Sequence, residues 1–133
     1  MIVDTSALVA VVRGEPERQR FLEIMNDAPR LAISAANLVE VGIVVDSIRS
    51  PVQSNRLDAT LGTLGFTVEP VTERQARIAR QAYRDFGRRS GHPAKLNYGD
   101  CFAYALAKDL GEALLFKGDD FGHTDVRRVV PET

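Results

Sequence analysis

Five acidic residues stand out by their neighbours: Asp4, Glu40, Asp100, Asp119 and Asp120. Asp4 ends the apolar run Met1-Ile2-Val3. Asp100 heads seven consecutive apolar residues, Cys101–Ala107, and Asp119 and Asp120 follow the apolar run Ala113–Phe116. Glu40 is the only charge in the first turns of a largely apolar segment that begins at Ala35. Such acids have ordinary uses. In a first helical turn a carboxylate meets unpaired N–H groups and the positive end of the dipole, for about 0.3–1 kcal/mol. Gly-Asp-Asp is also good turn chemistry. Brought together, the same acids have a different chemistry. Two like charges about 4 Å apart repel by roughly 4 kcal/mol at an effective dielectric near 20, so a cluster either keeps protons or takes up a divalent cation. With two histidines and one cysteine in the chain, the ligands would be oxygens, which favours Mg²⁺ or Mn²⁺. Mg²⁺ uses one or two carboxylates and keeps several waters; one such water, made more acidic, can attack a phosphodiester. Ser6 or Thr5 could orient a water or a carboxylate. No counter-charge is expected from within the same motifs.

Those acids meet only if the elements deliver them to one place. Met1–Asp4 reads as a buried strand ending on Asp4, followed by a helix over Ala7–Val12 capped by Thr5 or Ser6 and stopped by Gly14. Glu15-Pro16-Glu17 opens a helix carrying Phe21, Leu22 and Met25. Leu31–Ser34 is a second strand, and Ala35–Ile48 a helix with Leu38, Val41, Val45 and Ile48 inward and Val39, Ile43 and Val44 widening that face. Pro51 begins a helix to Leu64, ended by Gly65. Phe66–Val71 is a third strand. Thr72 caps a helix to Phe86 whose expected core face is Ala76, Ala79, Ala82, Tyr83 and Phe86. Gly87–Leu96 is a loop, and Asn97 caps a helix buried on nearly all sides. Ala113–Phe116 is a fourth strand, Gly118–Gly122 a turn and Val126–Val130 an edge strand.

Short apolar strands alternating with helices predict one α/β domain over residues 1–133, with a mainly parallel sheet of four to five strands flanked by helices. In such a sheet a helix N-terminus lies beside the carboxyl ends of the strands, the edge where ligands bind. Asp4, Glu40, Asp100 and the Asp119–Asp120 pair all fall on that edge.

Composition bounds the rest. The chain is 44% apolar and 26% charged, as a globular domain is, and no apolar run approaches the roughly 20 residues of a membrane helix. The lone Cys101 excludes an intrachain disulfide and a multi-cysteine zinc site, and it fits a reducing, cytoplasmic compartment. The net charge of −1 advertises no polyanion partner, but Val71–Lys95 holds seven basic residues against two acidic ones. Arg74, Arg77, Arg80, Arg84 and Arg88 recur every three or four residues. They form either a solvated helix face or, through Arg77, Arg80 and Arg84, a grip on RNA phosphates.

The opening MIVDTSA resembles the start of PIN-domain ribonucleases, specifically the VapC-type toxins of bacterial toxin–antitoxin pairs. Glu40 in SAANLVE looks like that family's second acid, and NYGDCFAYALAK and LLFKGDDF look like its third and fourth motifs. The resemblance runs over nearly the whole chain. It implies a PIN-like fold and an Mg²⁺- or Mn²⁺-dependent endoribonuclease. The implied metal-binding and catalytic acids are Asp4, Glu40, Asp100 and Asp120. It also implies a homodimer, possible higher assembly and inhibition by a VapB-type antitoxin. Many members place an acid three residues before the final phenylalanine, where this chain has Gly118; in a KGxDF ending Asp120 is the matching residue, with Asp119 as a supporting alternative. A disordered antitoxin tail could lie along the helix ends near Phe21–Met25 and Val41–Ile48 and set a basic side chain among the acids.

Two other classes place acids at strand ends. A phosphotransfer receiver would want an acidic neighbour for Asp4 and an aspartate ending a central strand, whereas the third strand reads Val68-Glu69-Pro70. A non-catalytic metal- or partner-binding α/β module would bind an ion and cleave nothing.

Overall fold

The computed structural model describes residues 1–129. The elements, in chain order, are β1 (Ile2–Val3), α1 (Thr5–Arg13), α2 (Arg18–Asp27), β2 (Ala32–Ser34), α3 (Ala35–Asp46), α4 (Pro51–Leu64), β3 (Thr67–Glu69), α5 (Glu73–Phe86), α6 (Tyr98–Leu110) and β4 (Leu114–Leu115). A short 3-10 turn follows over Asp120–His123. The four strands pair in parallel in the order β3-β2-β1-β4. Arg128 adds one further parallel bridge beside Leu114. The end of the expected edge strand, Val130, lies outside the described residues.

Strand periodicity explains how so little sheet organises two cores. Successive side chains point to opposite faces. Ile2, Ala32 and Leu114 pack with α5 and α6, while Val3, Ile33 and Leu115 pack with α1, α2, α3 and α4. Both faces are covered, which is why β1, β4 and the first two residues of β2 are apolar at successive rather than alternate positions. β3, at the sheet edge, is the exception: Val68 is half exposed.

Helix ends follow local chemistry. Gly14 and Gly65 close α1 and α4 in the left-handed conformation, at φ of 68° and 70°. Ser50 and Thr72 cap α4 and α5 through their hydroxyls. The start of α1 departs from expectation. The cap is Asp4, in extended geometry (φ −82°, ψ 155°), with its side chain accepting from the Ser6 N–H. Thr5 and Ser6 therefore lie inside the helix.

Two helix faces also differ. On α5 the buried residues are Gln75, Ala79 and Ala82, with Ile78 and Phe86 partly buried, whereas Ala76 and Tyr83 are exposed. The Gln75 amide is drawn inward by the Asp109 carboxylate on α6, 3.1 Å away. On α3, Val41 and Val45 are core, but Val39 and Ile43 are 62% and 65% exposed. Phe21 and Met25 are core as well, so they and Val41 and Val45 offer no open groove. Among the described residues no helix is long and apolar enough to cross a membrane.

The strand order creates the site. The chain winds from β1 to β2 to β3, then returns to place β4 on the other side of β1. The carboxyl ends of β1 and β4 therefore flank a topological switch point, the place where open α/β sheets bind ligands.

Candidate active site

Asp4 is the first residue beyond β1, and its backbone N–H is anchored to the Leu115 carbonyl of β4 at 2.9 Å. Its carboxylate is 3% exposed. Oδ2 caps α1 through the Ser6 N–H at 2.9 Å, while Oδ1 is buried without a hydrogen-bond partner. Burial and, to a lesser extent, the nearby Glu40 charge together push the carboxyl up to about 6 against the opposing effect of the Ser6 hydrogen bonds.

Glu40 reaches the same cleft from the second turn of α3. Its Oε1 accepts from Thr5 Oγ1 at 2.5 Å and from Asn37 Nδ2 at 3.2 Å. The other Asn37 donor goes to the Gly99 carbonyl in α6 at 3.0 Å. Gly99 lies so close that a Cβ built on it would sit 1.8 Å from Glu40 Oε2. Only a residue without a side chain leaves room for this carboxylate.

Asp100 serves its helix and the cleft at once. With Asn97 it forms a reciprocal cap: the Asp100 N–H donates to Asn97 Oδ1 at 2.8 Å, and the Asn97 N–H donates to Asp100 Oδ2 at 3.0 Å. Burial is the largest influence on its carboxyl, opposed by the Asn97 hydrogen bond and reinforced by the charges of Asp4, Asp120 and Glu40; together they raise it to about 7. Asp120 is exposed at the start of the 3-10 turn, so its influence on Asp100 is through charge rather than contact in the cleft. Asp119 is exposed as well and is not among the charges raising Asp100.

The cleft has a volume of about 440 Å³ and is lined by Asp4, Thr5, Ser6, Val9, Glu15, Glu40, Asn97, Asp100, Lys117 and Gly118. Ser6 Oγ accepts from the Lys117 N–H at 2.9 Å, which ties the start of α1 to the segment after β4. A counter-charge is thus present after all: Lys117 is among the residues lining the cleft. It is committed to Glu15 and, at 3.1 Å, to Glu17, so it neutralises the α1–α2 connection rather than the acids within.

Sequence reasoning missed Asn37, Gly99 and the Lys117–Glu15 pair. Asn37, Gly99 and Lys117 all stood inside the motifs SAANLVE, NYGDCFAYALAK and LLFKGDDF; a glycine beside a catalytic-type acid was the available signal for a close approach. Arg77, Arg80 and Arg84 lie exposed on α5 and do not line the cleft. Arg77 pairs with Glu73 at 2.7 Å, while Arg80 edges a separate apolar groove with Tyr83, Tyr98 and Phe102.

Among the described residues no group of three or more histidine, cysteine or acidic side chains forms a ready ligand set for an ion. The donor chemistry still suits a hard cation: oxygens only, with one buried carboxylate oxygen, Asp4 Oδ1, lacking any partner. A cation that keeps its waters needs no more than one or two direct carboxylates.

Comparison with known proteins agrees with this architecture. The PIN domain family model matches residues 1–127. Ribonuclease VapC28 of Mycobacterium tuberculosis is 55% identical over 130 residues, covering 98% of each chain. In structure, the chain resembles M. tuberculosis VapC20, a sarcin-ricin-loop-cleaving toxin, with a TM-score of 0.75 at 20% identity over 98% of each chain. It also resembles a chain of a Klebsiella pneumoniae toxin–antitoxin complex, with a TM-score of 0.72 at 22% identity, covering 98% of this chain and 97% of that one. A parallel sheet in the order β3-β2-β1-β4, with acids gathered at its switch point and a full-length match to named relatives, identifies the chain as a member of the PIN-domain family, among the VapC ribonucleases.

Proposed function

We propose that this chain is a divalent-cation-dependent endoribonuclease, using Mg²⁺ or Mn²⁺, and the toxin of a toxin–antitoxin pair. The observation that carries this reading is the cleft beyond β1 and β4, where Asp4 Oδ1 lies buried and unpartnered in company with Glu40 and Asp100. Asp4, Glu40, Asp100 and Asp120 are the proposed catalytic and metal-binding acids. Asp120 is preferred to Asp119 because its charge reaches Asp100. Thr5, Ser6 and Asn97 are the supports.

When bound, the cation would offset the repulsion among the acids and make a water more acidic. Asp4 Oδ1 and Asp100 would hold it. Glu40, with Oε1 already accepting two hydrogen bonds, keeps Oε2 to orient the attacking water and take its proton. Asn97 keeps Asp100 in place from the helix cap. Arg80 and Arg84, which form no ion pair among the described residues, would grip RNA phosphates together with Arg77, without reading sequence.

The likeness to a chain of a toxin–antitoxin complex supports a VapB-type antitoxin as the natural inhibitor. A basic side chain from such a partner would neutralise the acids in place of the cation. A second copy of the chain and the antitoxin would cover apolar surface that is otherwise wet: Val39 and Ile43 on α3, Val52 on α4, and the α5–α6 groove.

The test is incubation of the purified protein with total RNA in Mg²⁺, Mn²⁺ or EDTA, followed by mapping of the cut ends. Cleavage is expected with either cation and none in EDTA. Cation binding without cleavage of any RNA would return the acids to a non-catalytic binding module. Expression without a partner is expected to arrest growth, and Asp4→Ala to relieve the arrest.

A further inference from the structure

Glutamate is a long side chain, and a glutamate that must present one oxygen to a reacting water has to be held. We propose that Asn37 is the positioning residue for Glu40: its amide fixes Oε1 against the first turn of α6, so that Oε2 alone is left for the cleft. The inference rests on the nuclease reading of that cleft.

Asn37 is fully buried, at 0% exposure. Burying an amide in an otherwise apolar helix face is unfavourable unless its groups find partners, and an aliphatic residue there would pack without that penalty. Half of the amide is well used. Nδ2 donates to Glu40 Oε1 at 3.2 Å and to the Gly99 carbonyl at 3.0 Å. The other half is not: Oδ1 is buried with no partner. A helix that tolerates an orphaned carbonyl for the sake of two donated hydrogen bonds indicates that the donors are what matters.

The connections made by this one side chain are specific to the site. Gly99 immediately precedes Asp100, and Thr5, whose hydroxyl donates to the same Oε1 at 2.5 Å, immediately follows Asp4. Glu40 Oε1 and the Asn37 amide together therefore tie α3 to the start of α1, next to Asp4, and to the start of α6, next to Asp100. Among the described residues Oε2 makes no hydrogen bond, and it occupies the space that a side chain on Gly99 would fill. Removing Asn37 would leave Glu40 its Thr5 contact but free it to rotate, and would sever the link to the helix that bears Asp100.

A double-variant cycle tests this. Wild type, Asn37→Ala, Asn37→Asp, Glu40→Gln and Asn37→Ala with Glu40→Gln are compared in two assays: Mn²⁺ affinity without RNA, from the electron paramagnetic resonance of free Mn²⁺, and the rate of loss of full-length species from total RNA at saturating Mn²⁺. Outer residues that orient a metal-site ligand typically contribute 10- to 100-fold to affinity or activity. A loss of about that size is expected for Asn37→Ala and Asn37→Asp in at least one assay, and no further loss when Asn37→Ala is added to Glu40→Gln. Asn37→Asp keeps the volume of the side chain and decides the question if Asn37→Ala does not fold. Equal fold-losses in both backgrounds would assign Asn37 to general packing and overturn the proposal, as would wild-type behaviour of Asn37→Asp or of Glu40→Gln in both assays. A wild type that binds Mn²⁺ but cuts no RNA would remove the nuclease reading while the Mn²⁺ cycle still decides the role of Asn37. A wild type that does neither overturns both.

Discussion

Replacing Asp4 by asparagine should make the cation-free protein more stable at neutral pH, not less. The carboxyl of Asp4 is raised from 3.8 to about 6, chiefly by burial. A group raised in the folded state binds its proton more tightly there than in the unfolded chain. Its contribution is fully present below about pH 4 and is lost as pH rises through about 6. Over that interval the ionised, folded carboxylate comes to cost about 3 kcal/mol. The substituted side chain would keep the cap on α1, since asparagine and aspartate cap about equally well. It would also place an amide N–H₂ where Oδ1 now has no partner, at a pH-independent cost of about 1–3 kcal/mol. The net at pH 7.5 is a gain of roughly 1 kcal/mol, or about 4 °C in Tm for a chain of this size. At pH 4 the gain disappears and the amide's cost remains. The assay is urea or thermal unfolding of wild type and Asp4→Asn in EDTA from pH 4 to pH 7.5, with the difference between them expected to swing by about 3 kcal/mol. Added Mn²⁺ should then stabilise wild type and leave Asp4→Asn nearly unchanged. Parallel pH profiles for the two proteins would refute the account of Asp4 as a buried, uncompensated carboxylate.

Four other outcomes follow from the same geometry. Asp100→Asn, which can still accept from the Asn97 N–H, should leave circular dichroism nearly unchanged and lower RNA cleavage by at least about 100-fold; in wild type, Mn²⁺ affinity should rise as pH rises through about 7, because the proton on Asp100 competes with the ion, and a flat profile in a titration would contradict this. Gly99→Ala would force a Cβ to within 1.8 Å of Glu40 Oε2 and should destabilise the protein by about 1–3 kcal/mol, an effect that Glu40→Ala should largely relieve in denaturant titrations of the double variant. Changing Arg80 and Arg84 to glutamine should lower the slope of log K for single-stranded RNA against log salt by about 1.4 if each holds one phosphate, whereas an unchanged slope would assign both to solvent or to a protein partner.

What could be read in the sequence, and what could not, separates along one physical line. Helix ends were legible because their codes are local: Gly14 and Gly65 accept a positive φ, Thr72 caps α5, and Asn97 with Asp100 closes a reciprocal cap within four residues. β1, β2 and β4 were legible as apolar runs because both faces of the sheet are buried there. Asp4 was expected to close a strand, and instead it caps a helix, because an aspartate in extended geometry competes well with the hydroxyls after it. The inner face of α5 was misread at Ala76 and Tyr83. Alanine fits either face, and the register of α5 on α6 is set by contacts such as Gln75 with Asp109, 34 residues away in sequence. In the candidate site the acids were legible one by one, but Asn37 was not, because its significance lies in the Gly99 carbonyl 62 residues on.

The acids themselves were legible for a further reason: two of them also help the chain to fold. Asp4 caps α1 and Asp100 closes the first turn of α6, so each stabilises a helix start and is marked by the apolar run beside it. Those helix N-termini also lower the cost of gathering negative charge, by about 0.3–1 kcal/mol each. That falls short of the roughly 4 kcal/mol by which two close carboxylates repel. Burial first, and the neighbouring charges after it, raise Asp4 to about 6 and Asp100 to about 7, so both carboxyls keep their protons to higher pH than exposed aspartates do. Such carboxyls give up their protons close to neutral pH. A divalent cation, or a partner's basic side chain, can then replace those protons without rearranging the elements that hold the acids.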